Sequence, residues 1–357
     1  MAPRGVLPAW RWKLMLGKRK WPRKPQFGYD DNHRLSGRCT VKLHQLQALV
    51  ASAEAGSIRG AARSLSISQA AVTRALRELE AEQQLPLLVR SPSGLSFTEY
   101  GKTLLKHARL MLNQLAQAQD DLSRLRGQNV GRLNVGVTPW IMLTFLPEVV
   151  QLFRQRLPEV QLELYESLMA VAQPLLRDGS MDFAIGQLQP SATSVEFSSE
   201  ALFDYQTAVM VKRGHACQDC RSIHDLLEQN WTLNYAPDGH QALMHEVFWQ
   251  HGASIEEHRI VRAHSLAMLQ IMVEMADMCT WGPSILSMAP SFLGRLHVVP
   301  LAETFTPRQL SIVRRRNSTL SGAAECFIDC LLQVIRRHSR SAKKEDQQLF
   351  ETLTLLV

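Results

Sequence analysis

No run of about 18 uninterrupted apolar residues occurs in the 357-residue chain, and this excludes a membrane-spanning helix. Cysteine is sparse. Its six positions, Cys39, Cys217, Cys220, Cys279, Cys326 and Cys330, are too few for a disulfide scaffold and suit reduced thiols in a cytoplasmic protein. No apolar segment of the secretory type follows the basic residues near the start, which argues against export. There is no phosphate-cradling glycine loop and no nucleophile-elbow serine, so neither an enzyme nor a bound cofactor is expected. A basic globular surface is missing too. Residues 1–40 hold ten Lys or Arg against two Asp, so they account for the formal +7 and leave the other 317 residues at −1.

What remains is 45% apolar and 20% charged, enough for two or three folded domains. The first 40 residues, with Trp10, Trp12, Trp21 and the run Lys18-Arg19-Lys20, show neither helical nor strand periodicity. They read as a disordered basic extension, able to add non-specific phosphate attraction, or as a mis-assigned start ahead of Val41.

From Val41 the apolar residues Leu43, Leu46, Leu49, Val50 and Ala53 recur at helical spacing up to Gly56. Ser57 is placed to cap a second helix with the inner face Ile58, Ala61, Ala62 and Leu65. Ser68 is placed to cap a third, with Ile67 and Val72 as a hydrophobic staple. In this third helix Val72, Ala75, Leu76 and Leu79 face inward, and Gln69, Ala70, Thr73, Arg74 and Arg77 share the outer face. Gln suits adenine edges, Ala and Thr suit a thymine methyl, and Arg suits guanine or phosphate. Any amphipathic helix has a polar face; the capped helix-turn-helix arrangement is what favours DNA contact over an ordinary solvated face.

Short strands at Leu87–Arg90 and Leu95–Phe97 flank the turn Ser91-Pro92-Ser93-Gly94 and predict a wing. Thr98 then caps a long helix in which Leu104, Ala108, Met111, Leu115, Ala118, Leu122 and Leu125 follow steps of four and three residues. That spacing predicts a seam with a second copy of the helix, the alternative being a core helix. After Gly127 to Gly131 strands and helices alternate. Strands are expected at Leu133–Val137, Val160–Tyr165, Met181–Ile185, Thr207–Val211, Trp231–Asn234, Ile260–Ala263, Cys279–Trp281 and Leu310–Arg314. Helices are expected at Leu146–Phe153, around Leu175, at Ala242–Trp249, Leu266–Met275 and Ala323–Arg337. Such alternation implies open α/β sheets in two lobes, with a ligand crevice at the carboxyl ends of the strands.

From about residue 41 to 338 the chain resembles the LysR-type transcriptional regulators. The resemblance rests on Gly56-Ser57, Ala61-Ala62, Leu65, Ser68-Gln69-Ala70-Ala71-Val72-Thr73, Leu79-Glu80, Leu85, Leu87-Leu88, Arg90, Gly94, Thr98 and Gly101. Further along it rests on Gly136 to Pro139, Pro147, Phe153, Pro158, Gly179, Asp182 and Pro283. It implies a winged helix-turn-helix at 41–98, a linker and dimerisation helix at 99–127 and a two-lobed effector domain at 131–338 resembling periplasmic binding proteins. Lobe I is expected at about 131–203 and 304–338, lobe II at about 204–303, and a tail at 339–357. Three departures stand out. Ser93 replaces a basic wing residue, Gln84 lies where glycine is common, and Ala276-Asp277-Met278 replaces a glycine-rich turn.

The resemblance further implies a homodimer or homotetramer on an interrupted double-stranded DNA dyad, a small-molecule effector, and RNA polymerase as partner to an activator. DNA contacts are then expected from Ser57, Arg59, Ser68, Gln69, Ala70, Thr73, Arg74, Arg77, Arg90 and Ser93. The effector is expected among Thr138, Pro139, Trp140, Met169, Gln187, Asn234, Tyr235, His264 and Ser265, with exposed backbone donors after Thr138 favouring an organic anion. Trp140 has a competing role as a core residue. Cys217 and Cys220, near His215 and His224, leave a thiol- or metal-responsive regulator as an alternative, but no second ligand pair completes a metal site. A solute-binding protein would share the cleft but lack the helix-turn-helix.

Overall fold

The computed structural model describes residues 41–91, 94–126, 131–166, 168–188, 194–235, 239–289, 292 and 294–357. The expectations for 1–40 and for Ser93 lie outside the described residues.

The N-terminal domain opens with α1 (Leu43–Glu54), α2 (Ile58–Ser64) and α3 (Gln69–Gln83). Their apolar faces meet in one core built from Leu46, Leu49, Ala61, Val72, Leu76 and Leu79, all nearly or fully buried. Ser57 Oγ accepts from the Gly60 N–H at 3.0 Å and Ser68 Oγ from the Ala71 N–H at 3.1 Å, so both expected caps form. The staple does not. Ile67 is 46% exposed and contributes nothing to the core, so Ser68 alone marks the start of α3. Gln84 ends α3 at φ +54, a left-handed conformation that favours glycine; this is the physical sense of the departure noted at that position.

A hairpin of β1 (Leu88–Ser91) and β2 (Gly94–Phe97) forms the wing, with Val89 opposite Ser96. The long helix α4 (Glu99–Leu125) follows. Thr98 Oγ1 donates to the Pro86 carbonyl at 2.6 Å and accepts from the Gly101 N–H at 3.0 Å, which fixes the entry of α4. The seam expectation needs correction at its start: Ala108 is fully buried, and Leu104 packs beside it in the DNA-binding core. Heptad spacing identifies an apolar stripe but not its partner, and here the winged domain takes the first turns. Met111, Leu115, Ala118, Leu122 and Leu125 are exposed.

Three sheets build the remainder, one of six strands, one of three and one of two. The first holds β3 (Arg132–Val137), β4 (Gln161–Glu166), β5 (Phe183–Gly186), β6 (Phe197–Tyr205), β12 (Arg308–Arg315) and β13 (Leu353–Leu355), in the order β13-β6-β12-β5-β3-β4. Only β4, β3 and β5 run parallel; β12 is antiparallel to β5 and β6, and β13 is antiparallel to β6. Helices α5 (Pro139–Thr144), α6 (Leu146–Arg156), α7 (Met169–Arg177), α10 (Gly322–Ser339) and α11 (Lys344–Glu351) pack around it. The core is aromatic. Phe145 stacks on Phe203 at 5.9 Å between ring centroids, and Phe153 meets Phe327 edge-on at 5.3 Å.

Residues 339–357 are not a loose tail. Their charged run is the first turn of α11, whose Leu349 is buried, and Phe350 packs on Phe145 and Phe203. β13 then covers the edge of β6, so the segment completes lobe I.

The second lobe contains β7 (Thr207–Lys212), β8 (Trp231–Leu233), α8 (His240–Val247), β9 (Ile260–Arg262), α9 (Leu266–Met275), β10 (Thr280–Pro283) and β11 (Leu296–Val298). β8 and β9 are parallel, while β10 and β11 flank β7 in antiparallel fashion. The chain crosses between lobes at Gln206, whose carbonyl accepts from the Ser284 N–H at 3.0 Å and Oγ at 3.1 Å, and returns between β11 and β12.

Candidate DNA-binding and effector-binding sites

On α3, Gln69, Ala70, Arg74 and Arg77 are exposed and Thr73 is half-buried. Arg59 and Arg63 are exposed on α2, and Ser57 is half-buried beside them. None of the four guanidiniums pairs with a carboxylate among the described residues, which leaves them for phosphate or base edges. His44, at the start of α1, joins Ser68, Ala70 and Arg74 around a concavity beside α3. Sequence reasoning missed His44, because its place in α1 gave no hint of how closely the two helix starts approach. Arg90 lies in β1, with its backbone opposite Leu95. Glu80 Oε1 accepts from the Leu87 and Leu88 N–H groups at 2.9 and 3.1 Å, which ties α3 to the chain entering the wing.

Of the expected effector residues, those of lobe I lie at the carboxyl ends of its parallel strands. Thr138 precedes α5 and its N–H donates to the Ile185 carbonyl at 2.9 Å; Pro139 follows, half-buried. Met169 begins α7 and lies against Gly186, where an added Cβ would meet Met169 Cε at 2.9 Å. Next to it, Gln187 Oε1 accepts from Arg308 Nη1 at 2.8 Å. Trp140 does not belong to this group. It is 1% exposed and packs on Phe203 and Tyr205, so it serves the lobe I core.

Arg308 and its partners are the main residues the sequence did not reveal. From lobe I, Arg308 reaches Glu246 on α8 of lobe II through two guanidinium nitrogens, Nε to Oε1 at 3.1 Å and Nη2 to Oε2. Its guanidinium lies over the Trp281 ring at 4.6 Å. Burial pushes the adjacent Tyr205 hydroxyl up to about 12, with Arg308 opposing and Glu246 adding to the shift. Trp281 Nε1 is buried without a partner. Residues 62 positions apart leave no local signal of such a pair.

A second bridge joins the lobes at Glu166, the last residue of β4. Its Oε1 accepts from the Leu266 N–H at 2.8 Å, so a lobe I carboxylate sits at the start of α9. Ser265 Oγ caps the same helix by accepting from the Met268 N–H at 3.2 Å, and His264 beside it is exposed. Asn234 Oδ1 is buried without a partner, and Tyr235 lies under the Arg262 guanidinium at 5.1 Å, its hydroxyl 3.3 Å from His240 Nδ1.

Two of the thiols are held toward their protonated form. Burial pushes Cys279 up to about 12, and burial with the neighbouring Cys217 pushes Cys220 up to about 11, so both stay protonated. His215 is occupied on both sides: Nδ1 accepts from the Cys217 N–H at 3.0 Å and Nε2 lies 3.2 Å from the Asp277 carbonyl. No cluster of three or more metal-ligating side chains occurs among the described residues.

Two family models match: the bacterial regulatory helix-turn-helix protein, lysR family, over residues 43–102, and the LysR substrate binding domain over 126–336. The chain belongs to the LysR family. It is a DNA-binding transcriptional regulator with an effector-binding domain. The HTH-type transcriptional regulator TdcA of Escherichia coli (strain K12) is 25% identical over 293 residues, 81% of this chain and 93% of that protein. HTH-type transcriptional regulator GalR of Pseudomonas putida is 28% identical over 292 residues, 82% of this chain and 73% of that one. Full-length OxyR from Pseudomonas aeruginosa has the same fold with a TM-score of 0.59, at 21% identity, over 83% of this chain and 95% of that one. Full-length CbnR complexed with its target DNA aligns with a TM-score of 0.56, at 20% identity, over 82% of this chain and 99% of that one. Among the described residues no helix of this LysR-family chain is long and apolar enough to cross a membrane.

Proposed function

We propose that this LysR-family regulator reads an interrupted DNA dyad as a homo-oligomer, with α3 in the major groove, and that a small organic anion in the inter-lobe cleft changes its grip on the promoter. The observation that carries the DNA assignment is the unpaired face of α3, with Arg74 and Arg77 exposed beside Gln69, Ala70 and Thr73. Arg59 from α2, the caps Ser57 and Ser68, and Arg90 and Ser93 of the wing supply backbone contacts. The protein acts by binding alone, in the cytoplasm and without a cofactor, and contacts RNA polymerase where it activates.

In the cleft, Gln187 and Arg308 face the anion from lobe I and Asn234, Tyr235, His264 and Ser265 from lobe II. Thr138, Pro139 and Met169 shape its floor. An incoming carboxylate competes with Glu246 for Arg308, and so acts on the bridge between the lobes. A ligand shifts the protein only through such a difference in affinity between two arrangements.

Arg74→Ala is expected to cost about 1 to 3 kcal/mol of operator binding and to relax base preference at one position, read by fluorescence anisotropy on an operator series. An unchanged isotherm would remove Arg74 from the interface. The oligomer is assigned to the exposed stripe Met111, Leu115, Ala118, Leu122 and Leu125. Leu115→Glu with Leu122→Glu should place like charges in that seam, and sedimentation should report a smaller species. If the parent oligomer persists, association runs through another surface.

A further inference from the structure

The linker helix α4 rests on lobe I through polar contacts: Asn113 Nδ2 donates to the Asp178 carbonyl at 3.2 Å and Gln117 Nε2 to the Thr319 carbonyl at 3.0 Å. Gly179 permits this approach. It holds φ +74, and a Cβ there would lie 3.3 Å from Leu110 Cδ1 and 3.4 Å from Asn113 Cβ. Beside these contacts a cavity opens between α4 and the amino-terminal end of β3, with Asp120, Arg132, Asn134 and Asp182 in its wall.

Charges of both signs line this cavity, with Asp120, Asp121 and Asp182 against Arg132 and Arg315, so carboxylates outnumber guanidiniums by one. Asn134 is 7% exposed; its N–H donates to Asp182 Oδ2 at 2.8 Å and its Nδ2 to the Ser180 carbonyl at 3.0 Å, yet its Oδ1 is buried without a partner. Asp182 sits next to it. Burial raises the Asp182 carboxyl above the usual aspartate range, the Asn134 N–H and Arg132 oppose that rise, and the charge of Asp120 adds to it. Arg132 is engaged elsewhere in part, donating Nη2 to Asn113 Oδ1 at 2.6 Å. An orphaned buried carbonyl beside a desolvated carboxylate costs free energy that a donor-bearing cation would recover. Leu157 and Leu176 line the same cavity and give it an apolar side.

We infer that this cavity binds a small primary alkylammonium ion, its three N–H donors meeting Asn134 Oδ1, Asp182 and Asp120, and that the bound cation fastens the linker helix to lobe I. The site lies outside the inter-lobe cleft and does not rest on the effector reading. Because it spans α4 and lobe I, occupancy favours the arrangement in which the two are docked and is thereby linked to the geometry presented to DNA.

The test is isothermal titration calorimetry of the full chain with n-butylammonium chloride, with 1-butanol as the neutral isostere and potassium chloride at matched ionic strength. Saturable binding with a Kd on the order of 1 mM is expected for the ammonium alone, in keeping with so few heavy atoms. Asp120→Asn and Asp182→Asn preserve shape, and each should weaken binding about tenfold, the loss of one charge-assisted hydrogen bond. Asp120 is only half-buried, so its variant tests the site even where the Asp182 variant destabilises the fold. Three results would overturn the assignment: no saturable heat with the ammonium, equal binding of 1-butanol, or an Asp120→Asn affinity equal to the parent's.

Discussion

Gly101→Ala is expected to detach the winged domain from the linker helix at a cost of about 3 kcal/mol or more, the upper end of overpacking effects. Intrinsic propensity gives the opposite sign, since alanine in a helix is favoured over glycine by about 1 kcal/mol. Contact decides the outcome. A Cβ at Gly101 would stand 2.0 Å from the Leu87 carbonyl oxygen and 2.9 Å from its carbon, both backbone atoms. Leu87 cannot readily withdraw: its N–H is held by Glu80 Oε1 at 2.9 Å and its carbonyl accepts from the Thr98 N–H at 3.0 Å. Hydrogen exchange on α3 and the wing, with operator affinity alongside, reads the loss. Gly239→Ala serves as the control, because its added Cβ meets nothing within 4 Å. Equal protection in both variants would show that the junction is looser than these contacts indicate.

The second large effect is expected at the inter-lobe pair. Arg308→Ala leaves the Glu246 carboxylate, whose side chain is 20% exposed, without its partner and removes the cation from the Trp281 face. Breaking a buried pair from one side costs about 3 to 5 kcal/mol, and the residual exposure places this one near the lower figure. Removing both charges in Arg308→Met with Glu246→Met should be milder than the single change, because no buried charge is left unpaired. Arg308→Lys should rescue poorly, since a point charge cannot reproduce the two-nitrogen contact with the carboxylate. Urea unfolding followed by tryptophan fluorescence orders the four proteins. A double variant less stable than Arg308→Ala would contradict the ion-pair argument and shift the weight to packing.

Much of the DNA-binding half was legible because its signals are local. Caps at Ser57, Ser68 and Thr98 and helical spacing in α1 to α3 depend on residues three or four positions apart, and the structure places these elements where the pattern did. The α9 segment, Leu266–Met275, was read for the same reason. What escaped depends on distant partners. β6 lacks strict alternation because its buried and exposed positions follow pairing with both β12 and β13, so it was not foreseen. Lys344 and Glu345 looked like a solvated tail because they are exposed, while Leu349 and Leu353 bury against lobe I. Ala108 carried heptad spacing but answers to the winged domain's core. At the cleft, Gln187 was legible as the end of a strand; Arg308, Glu246 and Glu166 were not, since each meets its partner only after the chain has crossed between lobes.

Sequence-specific recognition of DNA through α3 is read by fluorescence anisotropy of the full chain. The titration would compare DNA from its own upstream region with a scrambled duplex across a salt series. Tighter binding to the upstream DNA is expected at every salt concentration, with a salt slope of about −0.9 for each phosphate that the exposed arginines neutralise. Weak binding, equal for both duplexes and with the same salt slope, would contradict it.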